Sequence, residues 1–74
     1  MNLDAFLIKT EKQALHDYIA MLSERDQVVL NLFYFGDFSA AEIGIFIGKK
    51  RDATLKRLER AKERLRQRML ERET

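Results

Sequence analysis

From Arg51 to Arg72 the chain runs without a glycine or proline, and Leu55, Leu58, Ala61, Leu65 and Met69 recur every three or four positions. That spacing gathers the apolar residues on one face of an α-helix, with Thr54 at its edge, and leaves a mostly charged face opposite. At 1.5 Å per residue the helix would be on the order of 30 Å long. In a chain of 74 residues the core is small, and support must come from helix packing, a partner or self-association.

The preceding sequence supplies candidates. From about Leu3 to Met21, the residues Leu3, Phe6, Leu7, Leu15, Tyr18, Ile19 and Leu22 fall near helical spacing, with a polar middle at residues 9–13. The pattern fits one helix or two short pieces. Ser23 then reads as an N-cap, with Glu24 and Asp26 favouring the positive helix end. A second helix carries Val28 to Leu30 and Leu32 to Phe35 and stops at Gly36-Asp37, where glycine would take a left-handed turn. Ser39 and Glu42 have capping-box spacing and open a short third helix, Ala40 to Ile47, which Gly48 ends. A short capped helix, a glycine turn and a long basic helix have the layout of a helix-turn-helix. The expected fold is therefore all-α, a small bundle of about four helices with its helix-turn-helix from about Ser39 to about Met69. Residues 1–21 form an N-terminal helical segment, and residues 22–74 one compact helix-turn-helix domain.

Composition removes several classes of function. Cysteine is absent and His16 is the sole histidine, so a disulfide and the usual four-ligand zinc site are excluded. No apolar run approaches the roughly 20 residues that span a bilayer, and the first residues lack the basic segment of a secretion signal. The cytosol is the expected location. The acids are scattered and no glycine-rich phosphate loop is present, so neither a catalytic site nor a cofactor is expected. His16 is expected at the surface, and Tyr34, Phe35 and Phe38 in the core.

The net charge of +2 conceals an uneven distribution. Up to Gly48 there are three bases against seven acids, a balance of −4; from Lys49 onward there are eleven against five, a balance of +6. A basic block confined to one helix is the electrostatic footprint of a nucleic-acid contact. Lys49, Lys50 and Arg51 stand at the turn and helix start, near where a recognition helix enters the major groove. Lys56, Arg57 and Arg60 follow on the outer face. An arginine there can grip guanine O6 and N7 or hold a phosphate. Ser39 joins this set chiefly as a cap whose helix end can also hold a phosphate. Arg64, Arg66, Arg68 and Arg72 read as peripheral solvated charges. The plain alternative for this face is a solvated surface on which Glu59 and Glu63 pair with bases on neighbouring turns.

Leu22-Ser23-Glu24-Arg25, Val29-Leu30, Leu32, Tyr34-Phe35, Ser39, Ala41-Glu42-Ile43 and Gly48 lead into Arg57-Leu58, Arg60-Ala61 and Glu63-Arg64-Leu65. This stretch, from Leu22 through Leu65 without gaps, resembles region 4 of bacterial sigma-70 factors, the extracytoplasmic-function group above all. The resemblance implies packed helices whose last member reads the −35 promoter element, and contact with the β-flap of RNA polymerase. Arg57 and Arg60 match bases of the family pattern and are the leading candidates for DNA contact.

The departures qualify that expectation. With 74 residues there is no room for the family's region 2, so the chain is expected to be an excised domain or a stand-alone relative rather than a complete sigma factor. Lys50 stands where the family usually caps the recognition helix with serine, which shifts binding toward phosphates. Thr54 replaces a core valine, and Leu55 replaces a common base. Val28, Phe33, Ile45 and Leu55 are apolar where the family often carries charge, which suggests an added protein-contact surface. Two functions follow. The first is a transcription regulator on double-stranded, promoter-type DNA. The second is a protein-interaction module that binds RNA polymerase, a sigma factor or an anti-sigma factor without reading DNA. A homodimer through the apolar set is a further expectation.

Overall fold

The computed structural model of the chain describes residues 12–73, the last two by backbone alone. Among them are four helices and no strand: α1 (Lys12–Ala20), α2 (Glu24–Tyr34), α3 (Ala40–Ile47) and α4 (Arg51–Glu73). The expected first helix began near Leu3, and residues 3–11 of it lie outside the described residues.

Each helix is set by local chemistry. In α1, Leu15 and Ile19, one turn apart, are its buried residues. The helix closes with tightened bonds from the Met21 amide to the Tyr18 carbonyl and from Leu22 to Ile19, at 3.1 and 3.0 Å. Ser23 caps α2 as its sequence position suggests, its Oγ accepting from the Asp26 amide at 3.3 Å. The Gln27 side chain donates to the Leu22 carbonyl at 2.8 Å and fastens the α1–α2 turn. Ser39 and Glu42 form both halves of the capping box at the start of α3. Gly48 ends that helix at φ 70°, the left-handed conformation in which a side chain would be strained.

The end of α2 differs from expectation. The left-handed residue is Asp37, at φ 57°, and not Gly36. Aspartate is among the few side chains that tolerate this region. Glycine at 36 answers a different need: a Cβ there would stand 2.6 Å from the Phe38 ring and 2.8 Å from the Leu32 carbonyl oxygen. Phe38 thereby folds back over the turn, and its amide donates to that same carbonyl at 3.1 Å.

The core consists of Leu15, Ile19, Val29, Leu30, Ile43, Leu58, Ala61, Leu65 and Met69, so all four helices bury residues in one cluster. Tyr34 and Phe38 pack partly buried against it, as expected of them. Phe35 instead lies at the surface, edge-on to the exposed His16 ring with centroids 5.9 Å apart. Thr54, expected at the stripe's edge, is fully buried. Its hydroxyl donates to the Lys50 carbonyl at 2.9 Å, which satisfies the polar atom inside its own helix and makes burial affordable. The true buried stripe of α4 is therefore Thr54, Leu58, Ala61, Leu65 and Met69, with Leu55 half-buried beside it.

Candidate nucleic-acid interface

Residues 48–50 link α3 to α4, and the Lys49 amide returns to the Gly44 carbonyl at 2.9 Å. This three-residue turn fixes the start of α4, and the buried stripe then fixes its rotation. The face beside the stripe carries Ala53, Lys56, Arg57, Arg60, Arg64, Gln67 and Arg68, which line an open groove of about 810 Å³. The opposite wall is the α1–α2 turn and the first turn of α2, through Met21, Leu22, Ser23, Arg25 and Asp26. Lys49 closes the end nearest the helix-turn-helix turn. From Lys56 to Arg68 there is a base on each turn of α4, about 6 Å apart along the axis.

The groove joins four of the residues singled out from the sequence: Lys49, Lys56, Arg57 and Arg60. Lys50, Arg51 and Ser39 lie outside its lining. Arg51 is exposed and stands 3.5 Å from the neighbouring carboxylate of Asp52, and Ser39 is engaged as a cap. Lys49, Lys56, Arg57, Arg60 and Arg68 form no ion pair with a described carboxylate.

Sequence reasoning missed three bases of this surface, Arg25, Arg64 and Arg68. Arg64 in particular is no peripheral charge. Its Nε donates to Asp26 Oδ2 at 2.5 Å and its Nη2 to Oδ1 at 2.8 Å, a bidentate bridge between α4 and α2. The Asp26 side chain is 3% exposed and that of Arg64 53%, so the carboxylate lies behind the guanidinium. The Arg64 hydrogen bonds hold the Asp26 carboxyl below its usual 3.8, with Ser23 and the charge of Arg25 pulling the same way against the effect of burial. A signal for this acid existed: Asp26 falls three and four positions before Val29 and Leu30, on the face that α2 buries. Among the described residues it is the one acid of the groove, and Arg64 already neutralises it.

Other bases on α4 serve the fold. Half-buried Arg66 forks onto Glu63, which also accepts from Gln67 at 3.2 Å, and these bonds depress the Glu63 carboxyl to about 2. Lys62 sits 4.3 Å over the Phe33 ring and 3.9 Å from Glu59, a cation–π contact. Phe33 is thus packed against the core and capped by a lysine, which removes it from the open surface. Of the proposed protein-contact residues, Val28 and Ile45 are exposed, and Leu55 is half-buried. Ile45 is 83% exposed and Phe46, beside it on α3, 64%; the Phe46 ring meets Phe38 edge-on at 5.2 Å.

Among the described residues no group of acids or histidines could hold a metal ion, and no helix is long and apolar enough to cross a membrane. Comparison with known families gives a match to the model of sigma-70, region 4, over residues 12–65. The match reaches further back than the resemblance from Leu22 and takes in α1, whose Leu15 and Ile19 belong to the common core. No curated protein and no solved structure matches the chain.

Proposed function

We propose that this chain, which belongs to the sigma-70 region 4 family, binds promoter-type duplex DNA with the groove-lining face of α4 and acts as a transcription regulator. One observation carries the reading: among the described residues, seven bases converge on a single groove whose only acid is already paired with one of them. A solvated surface would need no such convergence, and the acids on α4 that do pair, Glu59 and Glu63, take Lys62 and Arg66 from outside the groove. The turn at Gly48 and the helix after it have the proportions with which a recognition helix enters the major groove. Lys56, Arg57 and Arg60 form the central contact, and Lys49 meets the backbone at the helix start.

The test is duplex binding at a series of salt concentrations. Displacement of condensed counterions makes the affinity fall linearly on a log–log plot, with a slope of about −0.9 per phosphate neutralised. Absence of binding even at low salt would remove the proposal.

A second reading draws on Ile45 and Phe46, which a DNA-binding role leaves unexplained. In it, the α3 surface contacts a protein, RNA polymerase or a sigma or anti-sigma factor being the partners that the family suggests. Ile45→Asp should then abolish association with that partner and leave DNA affinity intact. Binding to DNA and to a protein on these separate residues can coexist.

A further inference from the structure

We infer that Arg64 is a phosphate contact of the DNA-binding surface and that buried Asp26 is the residue that positions it; the inference rests on the DNA-binding reading above. A guanidinium has five N–H donors in one plane. Asp26 takes the Nε–H and one Nη2–H, the side-on edge. The other Nη2–H and both Nη1–H groups remain, on the edge away from the carboxylate. Because Asp26 is buried and Arg64 half-exposed, that remaining edge belongs to the open side of the pair, where Arg64 lines the groove with Arg60 one turn before it and Arg68 one turn after. Two parallel N–H donors are the arrangement that grips two phosphate oxygens.

The carboxylate determines how well this works. A free arginine loses rotamer freedom whenever it grips a ligand, and the loss opposes binding. Arg64 has its guanidinium plane set in the unbound protein by two hydrogen bonds to a side chain that cannot itself move into solvent. Its contribution is therefore a fixed pair of donors, since Asp26 cancels its net charge. Arg25, one residue before Asp26, is a second cation lining the same groove. A purely electrostatic surface would behave differently: there, the acid is a liability and only the number of bases matters.

The two accounts separate on Arg64→Lys. Lysine keeps the charge and can still neutralise Asp26, so the fold retains its ion pair. It lacks the planar fork and cannot hold the carboxylate on one edge while offering another. Binding of the full chain to a random-sequence duplex, titrated with salt, is expected to weaken on the order of tenfold at every salt concentration with the salt slope unchanged, because the pair with Asp26 carries no net charge with either side chain. Arg66→Lys, where the arginine pairs with Glu63 outside the groove, is expected to bind as the unmodified chain does. Asp26→Asn adds a positive charge to the net balance, yet is expected to weaken binding, and to have no effect when Arg64 is already Lys. Circular dichroism establishes that each variant is folded at the temperature used; Arg64→Lys alone suffices if Asp26→Asn is not. Wild-type affinity in Arg64→Lys, or tighter binding in Asp26→Asn, would overturn the inference while the DNA-binding reading stood. Failure of the unmodified chain to bind duplex DNA would remove that reading instead.

Discussion

Gly44 and Thr54 meet so closely that a Cβ on the glycine would stand 2.9 Å from the threonine Oγ1, and 2.5 Å from the Lys49 carbonyl oxygen. Both residues are buried, and their contact sets the crossing of α3 and α4 that makes the helix-turn-helix. A glycine inside a helix normally costs about 1 kcal/mol relative to alanine. Here the close approach outweighs that cost, because a backbone carbonyl cannot swing aside as a flexible side-chain end could. Gly44→Ala should therefore lower stability by about 1–2 kcal/mol, the helix-propensity gain offsetting part of an overpacking cost of about 1–3 kcal/mol. Chemical denaturation measures it, and a stabilised variant would mean that the two helices can separate freely.

The Asp26–Arg64 pair predicts an asymmetry. Arg64→Ala leaves a buried carboxylate without its partner and should cost about 3 kcal/mol. Asp26→Ala leaves a half-exposed guanidinium that water can serve, and should cost about 1–2 kcal/mol. Equal costs from denaturation curves at neutral pH would show that the carboxylate is better hydrated than its 3% exposure implies.

The same pair predicts a pH dependence. The folded-state carboxyl of Asp26 is held below 3.8, so the unfolded chain takes up the proton first as acid is added. The stabilisation is complete well above 3.8 and is lost as pH falls through that value toward the folded-state one. The stability gap between the unmodified chain and Arg64→Ala should consequently narrow as pH falls below about 4, since the unmodified chain there loses the stabilisation that the variant lacks. A gap that stays constant from pH 7 to pH 3 would contradict the pairing.

Helix α3 is short, and its ends should matter. Ser39→Ala removes the hydroxyl that accepts from the Glu42 amide and should cost about 1 kcal/mol. Gly48→Ala forces a side chain into the left-handed region, where nothing crowds it, and should cost about 1–2 kcal/mol of backbone strain alone. Thermal denaturation compares the two, and a variant with an unchanged midpoint in either case would show that α3 is held by packing and not by its termini.

These ends were legible in the sequence because they are local. A serine three residues before a glutamate, or a glycine after an apolar run, has its partner within one turn, and both caps of α3 follow from such pairs. The left-handed turn after α2 was misplaced by one residue because two tolerant residues, Gly36 and Asp37, stand side by side, and only the approach of Phe38 decides between them. Thr54 reads as an edge residue because it is polar; its hydroxyl is satisfied one turn back, which periodicity does not register.

The candidate site was legible in part for the same reason. Periodicity places Lys56, Arg57 and Arg60 off the buried stripe, hence on an open face. It cannot say what stands across from that face. Arg25 and Asp26 come from a helix 38 residues away from Arg64 in the case of the ion pair, and only the packing of α2 against α4 turns a solvated-looking arginine into half of a bridge.

The central claim is that the α4 face binds duplex DNA through Arg57 and Arg60, and a salt titration of the Arg57→Ala/Arg60→Ala double variant tests it most directly. The account predicts a folded protein, about 1–3 kcal/mol weaker per arginine that reads a base, or with a salt slope reduced by about one per arginine that holds a phosphate. A folded double variant with the affinity and salt slope of the unmodified chain would contradict it.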